Sequence, residues 1–181
     1  MDEVARVLVF LREIGIPCEI EHGARGFAEG VRIDAGALLV DPACSLSTLL
    51  HEAGHLAIVP GRYRGWMSGN LYAGMRRMLQ DVQANGAEPD SLLWRAVVQC
   101  SDPEATAWAW AAGRHLGIQP EIIIADEDYD NCGDSVRLGL KTGHYLGING
   151  LQHAGFCIVR ANAYRPEQAV FPRLNFWTQV A

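Results

Sequence analysis

An α+β domain is predicted for this chain, and three observations predict it. Strand-forming residues gather in short runs between positions 18 and 41, whereas apolar residues over most of the rest recur at helical spacing. A length of 181 residues with 49% hydrophobic content suits a single domain, 1–181, able to bury a full core. A small sheet, mixed or antiparallel, should therefore carry one helix on its face, with further helices covering the far side.

The elements follow in order. Val4, Val7, Leu8, Leu11 and Ile14 mark a helix over 3–14 that Gly15 and Pro17 end. Strands are expected over 18–21, 31–34 and 38–41, with Ala35-Gly36-Ala37 turning between the last two. Pro42 stops the third strand, and Ser45 or Ser47 can cap a helix whose buried stripe is Leu46, Leu49, Leu50, Ala53, Leu56 and Ala57. Pro60 and Gly61 end it and leave a glycine-rich, aromatic loop to Asn70. An additional helical segment, about 61–100, holds one helix over 71–82, closed by Asn85-Gly86, and a short one over 91–99. Ser101-Asp-Pro-Glu reads as another start, with Asp102 as cap, Pro103 in the first turn and Glu104 just inside. The small residues of Ala105-Thr-Ala-Trp-Ala-Trp-Ala-Ala let this helix lie close to a neighbour. Beyond it come an apolar Ile122–Ile124, an acidic loop over 126–134 and a glycine-broken stretch over 139–155.

Charge and cysteine usage narrow the classes of function. Fifteen Lys and Arg against 21 Asp and Glu leave a net charge of −6, which argues against a broad nucleic-acid surface. The pairs Arg62/Arg64 and Arg76/Arg77 read as solvated faces. With no run of eighteen apolar residues and no basic, small-residue leader, a cytoplasmic protein without a membrane partner is expected. Cys18, Cys44, Cys100, Cys132 and Cys157 are odd in number and scattered, which predicts reduced, mostly buried thiols and no thiolate metal site.

The chemistry is concentrated in Leu49-Leu-His-Glu-Ala-Gly-His-Leu-Ala57. Residues four apart on a helix differ by about 40° of rotation and roughly 6 Å of rise, so His51 and His55 can reach one ion from the same face. Glu52 lies about 100° around the helix, where its carboxylate flanks the ion as a base must. A catalytic zinc takes three protein ligands, so a third must come from downstream. His115, His144, His153 and the carboxylates are candidates; the histidine six positions after His55 that would extend the motif is absent. Glu104 fits because it opens the small-residue helix, although a glutamate there is also favoured by the helix dipole alone. Tyr145, with His144, lies in the glycine-rich Lys141-Thr-Gly-His-Tyr-Leu-Gly147. It can close over the cleft and steady an oxyanion, or be a packed aromatic with a surface hydroxyl.

Two segments, Ala37-Leu-Leu-Val-Asp-Pro…Ser47-Thr-Leu-Leu-His-Glu-Ala-Gly-His55 and Glu104-Ala-Thr-Ala-Trp-Ala-Trp-Ala-Ala112, resemble the ImmA/IrrE group of bacterial and phage zinc metallopeptidases. The resemblance covers about 31–60 and 101–117. It implies a minimal zincin-like domain that binds Zn2+ through His51, His55 and Glu104, with Glu52 as the base and a protein or peptide as substrate. The chain departs from the pattern in a long span between His55 and Glu104 and in everything after Asp126. Two other readings share the motif: a non-catalytic zinc-binding interaction or regulatory protein, and hydrolysis of a non-peptide amide. Glu52 argues against the first, because a structural site is usually closed by four protein ligands and has no use for that carboxylate.

Overall fold

Cys18–Ile20 (β1), Val31–Asp34 (β2) and Ala37–Val40 (β3) form one mixed sheet in the order β1-β3-β2 in the computed structural model, which describes residues 3–181. β2 and β3 pair antiparallel from Val31 opposite Val40 to Asp34 opposite Ala37. Ala35 and Gly36 both take positive φ, 46° and 81°, at their turn, the hand that matches the twist of a tight hairpin. β1 adds to β3 in parallel, with Cys18 opposite Leu38. Val31, Ile33, Leu38 and Val40 point to one face and are buried; the alternation sets which face receives the helices. This is the small α+β arrangement predicted above, with a mixed sheet.

Helix α1 (Glu3–Glu13) and helix α2 (Leu46–Ile58) pack with the sheet. Ser45, not Ser47, caps α2: its Oγ accepts a hydrogen bond from the Thr48 amide at 3.0 Å. The predicted loop after Pro60 contains a single helical turn, α3 (Gly61–Arg64), and then come α4 (Leu71–Ala84) and α5 (Leu92–Val98). Helix α6 (Asp102–His115) begins one residue earlier than the sequence suggests. Ser101 is its N-cap and Asp102 its first helical residue, so the Asp102 carboxylate is not used as a cap. Within α6, Gly113 makes room for Ile123 of the short helix α7 (Pro120–Ile123). The acidic loop carries a 3-10 turn over Asp126–Tyr129, and the glycine-broken stretch resolves into α8 (Gly133–Thr142) and α9 (Leu146–His153).

The most extensive helix contact joins α2 to α6. At their crossing an added Cβ on Gly54 would stand 2.5 Å from the Ala105 carbonyl oxygen, so the backbones touch where no side chain fits. Trp108, fully buried beside this crossing, donates its indole N–H to the Trp177 carbonyl at 2.8 Å. The C-terminal segment straps the bundle: Gln179 donates through its amide N to Ala57 O at 2.8 Å and through Nε2 to Ala154 O at 3.0 Å. Of the five thiols, Cys18, Cys100 and Cys157 are buried, Cys44 is half-buried and Cys132 is exposed. Among the described residues no helix is long and apolar enough to cross a membrane.

In an open helix, alanine in place of glycine adds about 1 kcal/mol of stability. At Gly54 the sign should reverse, with Gly54→Ala costing about 1–3 kcal/mol because α6 must move away. Urea denaturation against Gly61→Ala, whose Cβ would meet nothing, checks this; equal midpoints for the two variants would refute the close crossing.

Candidate metal centre

His51 and His55 leave the same face of α2, one turn apart, and their Nε2 atoms converge to 3.2 Å. Their rings stand nearly perpendicular, at 87°, with centroids 4.8 Å apart. From the first turn of α6 the Asp102 carboxylate completes the group, with Oδ1 3.2 Å from His55 Nε2 and 3.9 Å from His51 Nε2. Ligands 2.0–2.2 Å from a tetrahedral zinc lie about 3.3–3.6 Å from one another. The three separations here bracket that range, so these donors can share one ion. Two imidazole nitrogens and a carboxylate are also a donor set zinc accepts.

Glu104, the residue first expected as third ligand, stands outside this group. It is buried, takes a hydrogen bond on Oε2 from the Ser101 hydroxyl, and lies against Gly150 of α9, where any side chain would collide with it. Ser101 and Glu104 have the spacing of a capping box, in which the third helical residue turns back towards the cap. That use draws Glu104 away from the histidines and leaves the first helical residue, Asp102, to face them. The Ser-x-x-Glu spacing was the signal in the sequence that could have singled out Asp102.

Around the three donors sit groups that the motif does not announce. Thr106 Oγ1, one turn further along α6, lies 3.2 Å from His51 Nδ1 and 3.3 Å from the Tyr129 hydroxyl. In the tautomer with the hydrogen on Nδ1, Thr106 Oγ1 accepts it and the Nε2 lone pair points at the cluster. The 3-10 turn brings Tyr129 to this spot from the acidic loop. Tyr145, just before α9, has its pKa raised by burial with Thr106 opposing, and Tyr72 of α4 adds a minor lowering to Asp102. His55 Nδ1 is buried without a hydrogen-bond partner among the described residues. His115, another early candidate, packs its ring on Trp177 and Phe10, at centroid distances of 4.9 and 5.7 Å. His144 and His153 line a separate cleft. The Cys100 thiol donates to backbone carbonyls of Ala96 and Ile58, and burial pushes its pKa up.

The electrostatics suit cation binding. Burial pushes His51 down to about 4, helped by His55 and opposed by Asp102, so its imidazole is neutral at physiological pH. The hydrogen bond with His55 holds Asp102 below the usual carboxylate range, against a smaller desolvation effect. Glu52 is only 8% exposed, and burial raises its pKa, with His55 opposing and Asp102 reinforcing. Asp102, by contrast, has a side chain 63% exposed, so the cluster opens to solvent on its side. Comparison with known protein families, with characterised proteins and with solved structures finds no match to this chain.

The His51 shift makes a prediction for the metal-free chain. Its folded value of about 4 lies below the ordinary 6.5, so between these pH values the unfolded state takes up the proton more readily. Stability should therefore fall as pH drops through that window. Urea midpoints at neutral and mildly acidic pH should show a smaller drop for His51→Gln than for the parent. Glu52, whose shift has the opposite sign, is present in both chains and leaves the difference intact. Identical drops would contradict the assignment.

Proposed function

We propose that this chain is a zinc-dependent metallopeptidase in which His51, His55 and Asp102 hold the ion and Glu52 is the general base. The observation that carries the proposal is the meeting of His51 Nε2, His55 Nε2 and Asp102 Oδ1 at separations suited to one ion, on the helix that buries Glu52. Zinc bound by these residues would polarise a carbonyl and bring the pKa of water towards about 7. Glu52, desolvated and with a raised pKa, accepts a proton on its carboxylate and returns it to the leaving amine. Thr106 would hold His51 in the Nδ1–H tautomer, which keeps Nε2 free to bind. Tyr145 and Tyr129, both at Thr106, are the hydroxyls available to steady negative charge on a carbonyl oxygen. The exposed Asp102 side leaves an approach for a peptide.

Kinship with the ImmA/IrrE group enters this proposal through the α2 motif and its α6 partner, with Asp102 in the ligand role that the resemblance gives to Glu104. Two histidines and a carboxylate also suit ferrous iron. The buried carboxylate next to His51 favours hydrolysis, because that chemistry needs a base beside the ion.

Two experiments test the proposal. Elemental analysis should find one zinc per chain, and Asp102→Ala should weaken zinc affinity by at least tenfold, as a lost ligand does. Glu104→Gln should keep the zinc and lower the melting temperature by a few degrees, since it loosens the Ser101 contact. The reverse pattern would return Glu104 to the ligand set. For catalysis, a peptide library read by mass spectrometry should show cleavage by the zinc-loaded parent. Glu52→Gln, still holding zinc, should be slower by about 10²–10⁴-fold. Undiminished cleavage by that variant would sink the peptidase reading.

A further inference from the structure

On the far side of α9 from the metal centre lies an open cleft of about 1020 Å³, walled by α9, the segment after it and the C-terminal strap. Its charge is at odds with the rest of the molecule. The chain carries a net −6, yet Arg95, Arg160, Arg165, His144 and His153 all line this cleft, and no Asp or Glu side chain does. Arg160 and Arg165 form no ion pair among the described residues, and neither side chain is otherwise bonded. Arg95 pairs through Nε with Asp90 at 3.8 Å, and Asp90 lies outside the cleft lining.

Two features separate this arrangement from arginines that are merely solvated. The wall bearing them is built. Ile158 exchanges backbone hydrogen bonds with Ala169 and Phe171 at 2.8 and 3.0 Å, and Asn162 closes the turn before Arg165 by accepting from the amides of Tyr164 and Arg165. The backbone that carries the two arginines is thus anchored. The wall also holds a buried cationic donor, Arg95 Nε, that makes no hydrogen bond and has Asp90, at 3.8 Å, as its one charged partner among the described residues. A buried donor on a cation is costly to leave unmet.

We infer that this cleft binds a small polyanion carrying several phosphate groups. Arginine forks match phosphate oxygens two at a time, and a cluster of them with no Asp or Glu side chain in the lining favours a multiply charged ligand over a single anion. The volume, at the upper end for small-molecule sites, accommodates such a ligand with its organic part along the apolar lining of Leu92 and Phe176. The site is independent of the metal centre, and α9 separates the two: Gly147 and Gly150 face α6, whereas Asn149, Gln152 and His153 face the cleft.

The test is titration calorimetry of the full chain with inorganic tripolyphosphate at near-physiological salt, with orthophosphate as a second probe. Tripolyphosphate should bind with submillimolar affinity, at least tenfold tighter than orthophosphate. The double variant Arg160→Gln/Arg165→Gln should lose at least tenfold in affinity with an unchanged melting temperature, both side chains being exposed. Arg25→Gln, a surface arginine paired with Glu29 and far from the cleft lining, should bind like the parent. The inference falls if tripolyphosphate gives no saturable binding, or if Arg25→Gln weakens it as much as the double variant. It falls equally if a polyglutamate peptide binds and tripolyphosphate does not displace it, which would make the cleft a dock for acidic protein segments.

Discussion

The close crossing of α2 and α6 is the constraint on which the rest of the structure depends. His51, Glu52 and His55 belong to one helix, Asp102 and Thr106 to the other, and the two sets meet only because Gly54 lets the Ala105 backbone come into contact. The crossing lies within a turn of both histidines, so any displacement there reaches the donor atoms directly. Around it the core is built from small residues of α6, Ala105, Ala107, Ala109 and Ala112, interleaved with the fully buried Trp108. Such packing fills space at short interhelical distance and holds polar side chains to within tenths of an ångström, which a shared ion requires.

The start of α6 shows how neighbouring carboxylates acquire different tasks. Asp102 and Glu104 are two residues apart, so on a helix they point about 200° away from each other. One must face α2 if the other faces α9. Glu104 is longer, reaches back to Ser101, and is received by the notch at Gly150, while the shorter Asp102 projects towards the histidines with little chain to order. The two carboxylates are thus sorted by helix geometry and by the glycine, and not by charge, which is the same for both.

Much of this was legible in the sequence, for identifiable reasons. The strands were readable from clustered β-branched and aliphatic residues around the Ala35-Gly36 turn, and α1, α2 and α4 from strong apolar periodicity. The convergence of His51 and His55 follows from spacing within one helix. Asp102 was not singled out, because local propensity makes Ser, Asp and Glu all plausible at a helix start and only the capping pair decides among them. Tyr129 could not be found at all: it sits in an acidic stretch whose periodicity is silent, and only tertiary packing carries it to Thr106. The C-terminal strap is illegible for a related reason, since its hydrogen bonds run from irregular backbone to Ala57 and Phe156 and from the Gln179 side chain to Ala154, distant elements with no sequence signature.

Helix α9 connects these observations. Its two glycines remove side chains from the face that meets α6, so Pro103 and Glu104 are seated against bare backbone, and the orientation of the α6 start is fixed from behind. Its other face keeps the polar residues Asn149, Gln152 and His153, and Gln152 accepts a hydrogen bond from the Val159 amide at 2.9 Å that holds the chain leading to Arg160. The same short helix therefore backs the Asp102 side of the proposed metal centre and frames the basic cleft. A glycine face on a helix of only eight residues lowers its intrinsic helicity. What holds α9 in place is tertiary contact on both sides, the α6 start on one and the strapped C-terminal segment on the other, so the two regions share a structural support even though no side chain is common to both.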